Sequence, residues 1–319
     1  TRERDLVAVL RGRGLSLRRI AKQLRRDPST LSRELRRNSA PRYKTCFLPH
    51  RAQARATFRF RESHRRLRLK NRRIRTYVER KLRSRWSPEI IAGRISRELP
   101  SCRISYEAIY RRLYAEARHL IPCLPRRHRK RMKRGYVRGR HRKNHIPGRV
   151  PIHLRPRVVE TRHQGGHWEI DTAVSRQSLA ALLVCVERKT RFTKLFKLPR
   201  KTARNLSVAV NRSLSHYPPA LRRTLTYDNG SENADHLRIN RVLGSSSFFC
   251  APYHSWEKGS VENVIGLFRR YYPKKTDLAR LSHRQIHFVE TALNCRPRKC
   301  LKYRTPHELF SPLKKRLRA

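Results

Sequence analysis

The sequence predicts a multidomain chain in which N-terminal all-α helix-turn-helix modules precede an α/β domain with a mixed sheet. Three observations support this fold class. Apolar residues recur at helical spacing in two N-terminal segments, residues 3–37 and 86–116. An acid-free basic stretch follows them, and beyond residue 152 strand-like and helix-like patterns alternate. We therefore expect domains at 1–58, 59–125 and 152–319, with a basic linker at 126–151.

The charge of the chain indicates a polyanionic partner. Its 319 residues include 80 Lys+Arg against 22 Asp+Glu, which gives a formal net charge of +58. Nucleic acid, here double-stranded DNA, is the partner that such a balance favours. A membrane surface is the alternative, but the sequence has no run of about 18 apolar residues and no clean amphipathic basic helix. We expect a DNA-binding protein that does not enter membranes.

The cysteines and the first residues bear on the cellular compartment. The seven cysteines form no CxxC pair, and an odd number without such spacing is typical of a reducing cytosol. The opening residues, TRERD, are not those of a secretory signal. We expect a cytoplasmic protein.

The first module contains three short helical patterns, of which the last two predict a helix-turn-helix. Ser16 is a candidate cap for the second helix, Pro28 suits the first position of the third, and Leu31 and Leu35 lie four residues apart. The polar face of this third helix is poor in acids and carries Ser29, Thr30, Ser32, Arg33, Arg36 and Arg37. A recognition helix needs such side chains, since it must offer hydrogen-bond donors to base edges and phosphates. A three-helix bundle with a solvated charged face explains the apolar spacing equally well, but the acid-poor face favours DNA recognition.

A second helix-turn-helix is predicted in WSPEIIAGRISRELPSCRISYEAIYRRLYAE, residues 86–116. Ser87 and Pro88 begin one helix and Ser105 begins the next. Glu107 and Glu116 dilute its basic face, so a packing module is the alternative. Between the two modules, Ile74, Val78 and Leu82 lie four residues apart and predict a connecting helix.

The stretch from Arg126 to Arg149 contains 12 Lys/Arg and no acid. Such a block cannot bury a core and is expected to be extended or disordered in isolation. We interpret it as a linker that follows the DNA backbone, since counterion release rewards each neutralised phosphate; a solvated tether is the alternative.

Residues 152–319 follow the element order of a ribonuclease H-like fold. Three successive strands are predicted in HWEIDTAV, LAALLVCVERKT and RFTKLFKLP. After them come the helix TARNLSVAVNRSL, the strand RRTLTYDNG, the helix ADHLRINRVLG, the strand SSSFFCAP and the helix GSVENVIGLFRRYY. Three strands followed by alternating helix and strand indicate a mixed sheet with helices on its faces. The segment LNCRPRKCLKYRTPHELF is predicted to form a final helix and a basic tail.

Two strand-end aspartates and one helical glutamate are the candidate catalytic residues. Asp171 lies toward the end of the first strand, and Asp228 precedes a turn that ends the fourth. The first and fourth strands of such folds are neighbours, so the two aspartates are expected to converge. Glu262 lies at the start of a helix, with Ser260 as its predicted cap. These are the ligands expected of a site in which paired divalent ions, roughly 4 Å apart, hold a phosphoryl group.

Three further acids and three basic residues lie near these candidates in the sequence. Glu169, Glu232 and Glu257 are neighbouring acids that we do not place in the site. Arg269 lies seven residues after Glu262 on the same helical face, and the basic character continues to Lys274 and Lys275. We expect Arg269, Lys274 and Lys275 to contact DNA phosphates.

Over nearly its whole length the chain resembles DDE transposases of the insertion sequence 30 family. The segments that carry the resemblance include LSLRRIAKQLRRDPSTLSRELRRN, WSPEIIAGRI, GHWEIDTAV, TYDNGSEN, PYHSWEKGSVEN and LNCRPRKCLKYRTPHELF. The resemblance implies that Asp171, Asp228 and Glu262 are the catalytic triad. It also implies Mg²⁺ as the metal, with Mn²⁺ as a substitute, and the element's terminal inverted repeats and target DNA as substrates.

The resemblance implies a bacterial, nucleoid-associated protein that acts as a homodimer or a higher synaptic oligomer, since two element ends must be brought together. The expected reaction is metal-dependent strand cleavage followed by strand transfer. Two alternatives remain at this point. One is a catalytically dead relic or repressor that only binds DNA, and the other is a ribonuclease H-like nuclease that cuts without joining.

Overall fold

The computed structural model of the protein describes residues 2–38, 47–64, 69, 71–125, 146–251 and 254–316. The chain divides into two compact units, Thr1–Lys70 and Asn71–Ala319. Within the described ranges, no helix has the length and apolar character needed to cross a bilayer. Most of the predicted basic linker, residues 126–145, lies outside the described residues.

The first unit is a small helical domain. Its helices are α1 (Arg2–Gly12), α2 (Leu17–Gln23), α3 (Pro28–Asn38) and α4 (Pro49–His64). The Ser16 side chain accepts a hydrogen bond from the backbone N–H of Arg19 and caps α2, as predicted. Val7, Ile20, Leu31 and Leu35 are buried in one apolar cluster. Helix α4 crosses the boundary predicted between residues 58 and 59, because no Gly or Pro follows Pro49 to end it.

The predicted second module is also helical. It comprises α5 (Arg72–Arg83), α6 (Pro88–Glu98) and α7 (Tyr106–Ala115). The Ser105 hydroxyl accepts the backbone N–H of Ala108 and caps α7. Val78, Leu82, Ile91 and Ile109 are almost completely buried. The apolar spacing in the sequence therefore correctly located all three helices.

A five-stranded mixed sheet forms the centre of the second unit, as the sequence predicted for a ribonuclease H-like α/β fold. Its strands are β1 (His167–Val174), β2 (Ala181–Glu187), β3 (Thr193–Leu198), β4 (Thr224–Tyr227) and β5 (Ser246–Phe249). Their order is β3-β2-β1-β4-β5. The first three strands form an antiparallel meander, β4 is parallel to β1, and β5 is parallel to β4.

Helices cover both faces of this sheet. The helices described in this domain are α8 (Val158–Thr161), α9 (Ala203–Leu214), α10 (His236–Leu243), α11 (Gly259–Phe268), α12 (His283–Asn294) and α13 (Pro306–Arg316). One apolar cluster joins the sheet to α9, α10 and α13, and a second joins it to α11 and α12. Every residue of β2 is buried, which is the pattern of a strand covered on both faces.

The closing segment, predicted to form a final helix and a basic tail, contains the end of α12, a connection with one short 3-10 helix (Lys299–Leu301) and the start of α13. Pro297 and Pro306 interrupt the helical pattern, because proline donates no backbone hydrogen bond and disfavours a helical residue before it. Within the connection, Lys302 and Tyr303 adopt positive φ angles of 52° and 59°. The chain turns there and brings α13 back onto the sheet.

The second module packs against the catalytic domain through this connection. Arg94 of α6 donates hydrogen bonds of 3.0 Å to the Glu308 carboxylate and to the backbone carbonyl of Tyr303. Beside Arg94, a Cβ placed on Gly93 would lie 2.2 Å from the Tyr303 ring, so only glycine permits this approach. The contacts join α6 to the body that carries the three predicted acids.

Candidate active site

Asp171 on β1 and Asp228, the residue directly after β4, lie next to each other because the two strands are adjacent and parallel. In the β1–β4 ladder His167 is opposite Thr224 and Glu169 is opposite Thr226. The same offset, continued two residues, places Asp171 beside Asp228. The sequence prediction that the first and fourth strands bring these two side chains together agrees with the sheet order.

A buried ammonium group lies between the two carboxylates. Lys258 Nζ is 3.3 Å from Asp171 Oδ2 and 3.4 Å from Asp228 Oδ2. It is also 3.4 Å from the backbone carbonyl oxygen of Ile170. The Lys258 side chain is only 4% exposed, and it comes from the short turn immediately before α11. Two carboxylate oxygens from different strands therefore converge on one cation.

The remaining oxygen of each aspartate is held by the protein. Asp171 Oδ1 accepts the backbone N–H of Thr172 at 2.7 Å. Asp228 Oδ1 accepts the side-chain amide of Asn233 at 2.8 Å and the backbone N–H of Gly230 at 3.2 Å. These bonds fix the carboxylates so that the two Oδ2 atoms face the shared space.

Burial and charge act in opposite directions at this site. Burial raises the pKa of Asp171, the Lys258 ammonium opposes that rise, and the Asp228 carboxylate adds to it. Burial alone would lower the pKa of Lys258, but Asp171 and Asp228 outweigh burial and raise it. Paired carboxylates in a partly dehydrated site need a counter-cation, and carboxylate oxygens are the ligands that Mg²⁺ and Mn²⁺ prefer. The pair Asp171 and Asp228 thus fits a divalent cation.

Glu262 is exposed in the first turns of α11. In the described ranges, no three side chains from His, Cys, Asp and Glu are assembled as a metal-ligand group. The structure therefore brings together two of the three predicted acids and places the third on the helix that follows Lys258.

The start of α11 is held by Glu169 rather than by the predicted Ser260 cap. The helix begins at Gly259, so Ser260 lies inside its first turn. Glu169 Oε2 accepts the backbone N–H groups of Ser260 at 2.9 Å and Val261 at 3.0 Å. A buried carboxylate from β1 thereby satisfies two of the free N–H groups at the helix start.

The acids that the sequence analysis excluded from the site have structural partners. Glu169 is completely buried and its Oε1 accepts a 2.8 Å bond from Arg188. Glu257 accepts the backbone N–H of Ala251 at 2.9 Å. Glu232 is buried and pairs with Lys201 at 2.7 Å. Each has a structural role in the observed contacts.

Comparison with known proteins identifies the family. A helix-turn-helix domain model matches residues 2–38. The chain is 36% identical over 318 residues to the transposase for insertion sequence element IS1086 of Cupriavidus metallidurans, an alignment that covers 97% of this chain and 93% of that protein. It is 37% identical over 317 residues to transposase InsI for insertion sequence element IS30C of Escherichia coli K12, which covers 97% of this chain and 82% of that protein. The chain belongs to the insertion sequence 30 family of transposases. Among solved structures, the catalytic core domain of BIV integrase is 17% identical with a TM-score of 0.38, covering 49% of this chain and 99% of that one.

In this family member, the predicted recognition helix is α3. Its buried side chains include Leu31 and Leu35. The six predicted DNA-contacting residues are all exposed: Ser29, Thr30, Ser32, Arg33, Arg36 and Arg37. Arg33 Nη2 donates to the Ser29 hydroxyl at 2.9 Å, within the same face. The helix therefore presents hydroxyl and guanidinium donors to solvent.

The other predicted phosphate contacts lie at and after the end of α11. Arg269 is half-buried, and its Nη2 donates to the backbone carbonyl of Val174 at the end of β1, at 2.6 Å. Burial lowers its pKa. Lys274 and Lys275 are exposed in the segment that follows the helix.

Lys258 is the site residue that the sequence analysis missed. It lies four residues before Glu262 in the segment EKGSVEN, but it precedes the helix and so no helical spacing links it to that glutamate. Its approach to Ile170 is a contact between residues 88 positions apart. A lysine in the segment that carries a predicted metal ligand was the available signal.

Proposed function

We propose that this member of the family is an active transposase. It binds the terminal inverted repeats of its insertion sequence and catalyses metal-dependent strand cleavage and strand transfer at Asp171, Asp228 and Glu262. The observation that carries the proposal is the convergence of Asp171 Oδ2 and Asp228 Oδ2 on one buried cation, Lys258 Nζ. A chain with so few acids has little reason to pair two of them at a partly buried position unless the charge is used.

The metal ligands in this proposal are Asp171 and Asp228, with Glu262 as the third. The ion is Mg²⁺, and Mn²⁺ substitutes for it. When bound, a divalent ion supplies a Lewis acid that makes a water or hydroxyl oxygen more nucleophilic and neutralises charge on the phosphate. The protein contributes fixed carboxylates, since Thr172, Gly230 and Asn233 hold the Oδ1 atoms in place.

The proposed reaction has two steps at one site. In the first, a water oxygen attacks phosphorus at the element's end, the bond from phosphorus to the 3′ oxygen breaks, and that oxygen leaves as a 3′ hydroxyl. In the second, this 3′ hydroxyl attacks a phosphodiester of the target DNA and displaces the target's own 3′ oxygen. The attacking oxygen loses its proton to solvent in each step, and no covalent bond to the protein is needed.

Recognition precedes chemistry in this proposal. The exposed face of α3 reads the element ends, Arg269, Lys274 and Lys275 bind phosphates, and the predicted linker follows the DNA backbone. Two ends must be held at once, so we propose a homodimer or a larger synaptic assembly. The proposed location is the bacterial cytoplasm, in association with the nucleoid.

The test is cleavage of a supercoiled plasmid that carries the inverted repeats flanking the coding region. Wild type, Asp228→Asn and Asp235→Asn are compared in Mg²⁺, in Mn²⁺ and in EDTA. Asp235 is a matched control, because it lies seven residues after Asp228 and its side chain makes no capping bond to α10. We expect wild type and Asp235→Asn to cut at the repeat boundary and to form joined products only with metal. Asp228→Asn is expected to bind the ends without cutting.

Each alternative function has its own outcome in this test. If wild type and Asp228→Asn both bind and neither cuts, the protein is a DNA-binding relic or repressor. Cutting without joined products would identify a nuclease of the same fold. Cutting that persists in Asp228→Asn would remove the aspartate pair from the chemistry.

A further inference from the structure

Two buried arginines of the catalytic domain have no carboxylate partner among the residues that the structure describes. Among the described residues, five buried cations pair with carboxylates: Arg94, Arg112, Arg155, Arg188 and Lys258. Arg296 and Arg298 are equally buried, at 6% and 8% exposure. Their described hydrogen bonds go to backbone carbonyls, from Arg296 Nη1 to Arg85 at 2.6 Å and from Arg298 Nη2 to Leu293 at 3.4 Å. Buried charges are ordinarily paired with an opposite charge. In the described part of the chain, these two guanidinium groups have no such counter-charge.

Both arginines line a pocket of about 500 Å³ between the start of α6, the face of α11 and the connection after α12. We call it the arginine pocket; its charged lining residues are Arg162, Arg191, Arg296, Arg298, Lys299 and Glu89. Glu89 is already paired with Lys299 at 2.6 Å. Arg191 Nη1 donates to the Ser260 hydroxyl, at the start of α11. Four arginines therefore face one space with no carboxylate left to balance them.

The arrangement leaves hydrogen-bonding capacity unused. The Nε atoms of Arg296 and Arg298 are buried without a partner. Burial, followed by the positive charges of Arg270 and Arg298, lowers the pKa of Arg296 to about 9. Burial also lowers the pKa of Arg298 to about 10, although Cys300 partly opposes the effect. An anion entering the pocket would relieve both the repulsion and the missing hydrogen bonds.

We infer that the arginine pocket binds a backbone phosphate of DNA. Guanidinium groups match the geometry of phosphate oxygens and bind them through paired N–H donors. The volume exceeds that of a phosphate group and leaves room for the sugars on either side. The inference rests on the proposed function only in taking the anion to be DNA, and it assigns a DNA contact to four arginines beside α11 that are distinct from the three acids.

The position of the pocket indicates what a bound phosphate would do. It is lined by Gly259, Ser260 and Asn263 of α11 and by Ser87 and Ile90 of the second module. The same helix carries Glu262. A phosphate held there by the arginines of the catalytic domain lies between that domain and the second module, so it positions the duplex relative to the acids.

The test is the salt dependence of binding to a duplex that carries an element end, measured by fluorescence anisotropy without metal. We compare wild type with Arg298→Gln and Arg191→Gln. Each substitution is expected to weaken binding about tenfold at fixed salt. Each should also reduce the slope of log affinity against log salt by about 0.9, the value for one lost phosphate contact. Arg280→Gln is the charge-matched control, because Arg280 is 89% exposed and already lies 3.6 Å from Asp277; its slope should match wild type.

Thermal unfolding supplies a second readout. Replacement of an unpaired buried cation should leave the melting temperature of Arg298→Gln in chloride equal to or above that of wild type. Inorganic phosphate, at constant ionic strength, should stabilise wild type more than this variant. Arg191→Gln, which is only partly buried, serves if Arg298→Gln does not fold.

Three results would overturn the inference. An unchanged salt slope in both variants would mean that no DNA phosphate enters the pocket. Stabilisation by inorganic phosphate together with an unchanged slope would assign the pocket to a free phosphate. A large loss of stability of Arg298→Gln in chloride, together with an unchanged salt slope in Arg191→Gln, would make Arg298 a structural residue and leave the pocket without a DNA contact. If wild type does not cut the plasmid but the salt slope still changes in the two variants, the proposed chemistry fails and the pocket is retained.

Discussion

Removal of the Lys258 ammonium is expected to destabilise the metal-free protein and to strengthen metal binding. In Lys258→Met, Asp171 and Asp228 face each other without the cation that lies 3.3 and 3.4 Å from them. Loss of one partner of a buried ion pair costs about 3–5 kcal/mol. The cost should fall at the low end here, because Asp171, whose pKa is already raised, can take up a proton. At about 3 kcal/mol, the melting temperature in EDTA should fall by roughly 6–12 °C for a domain of this size.

A divalent ion reverses that effect if it takes the place of the ammonium. A divalent ion that binds wild type must displace the Lys258 ammonium. An ion that binds Lys258→Met instead meets two carboxylates that have no counter-charge. The variant should therefore bind Mn²⁺ about 10- to 100-fold more tightly, which corresponds to roughly 1.4–2.7 kcal/mol. Calorimetry with Mn²⁺ measures the affinity, and unfolding in EDTA and in saturating Mn²⁺ measures the rescue.

Lys194→Met is the matched control for this experiment. Lys194 pairs with Glu290 at 2.6 Å on β3, away from the aspartates. Its loss should lower the melting temperature equally with and without metal. If Lys258→Met behaves in the same way, and its Mn²⁺ affinity equals that of wild type, the ammonium does not occupy the metal position and the reasoning fails.

Three further predictions concern the framework around the site. Glu169→Gln removes a charge paired with Arg188 and weakens the hold on α11, so thermal unfolding should show a loss of about 3–5 kcal/mol; a loss below about 1 kcal/mol would exclude this role. Burial, with help from Arg223, lowers the pKa of His167 to about 4, below its ordinary value of about 6.5. The unfolded chain then binds a proton that the folded protein does not, so stability present above pH 6.5 is lost as the pH falls toward 4. Urea unfolding at pH 7.5 and 4.5 should differ by about 2–3 kcal/mol from this group, and His167→Gln should lack that part of the difference. Gly93→Ala places a methyl group against the Tyr303 ring and should cost about 1–3 kcal/mol, whereas Gly266→Ala, which meets nothing within 4 Å, should cost nothing by the same melting assay.

The sequence identified most of the fold because the local patterns were unambiguous. Continuous apolar runs located β2 and its neighbours, and helical spacing located α5, α9 and α11. The pairing of Asp171 and Asp228 could be predicted because a single rule, the adjacency of the first and fourth strands, carries it. The final helix of the closing segment was predicted, but its start at Pro306 and the turn at Lys302 and Tyr303 depend on backbone conformations that have no periodic signal.

The parts that the sequence did not reveal depend on contacts between distant residues. Ser260 satisfies the local rules for a helix cap, but the acceptor for its N–H is Glu169, 91 positions earlier in the chain. Lys258 reaches the aspartates only because a short turn from Ser255 to Lys258 directs its side chain toward β1. Neither relation has a periodic signature, so only the folded arrangement reveals it.

The union of the second module with the catalytic domain in one compact unit limits how such chains can recombine during evolution. A crossover between related genes near residue 70 falls between the two compact units and leaves the contacts inside each of them intact. A crossover near residue 125 would separate Gly93 from Tyr303 and Arg94 from Glu308, which would then have to match in a new combination. New binding specificities should therefore be acquired by exchange of the first unit, while the second module and the catalytic domain are inherited together.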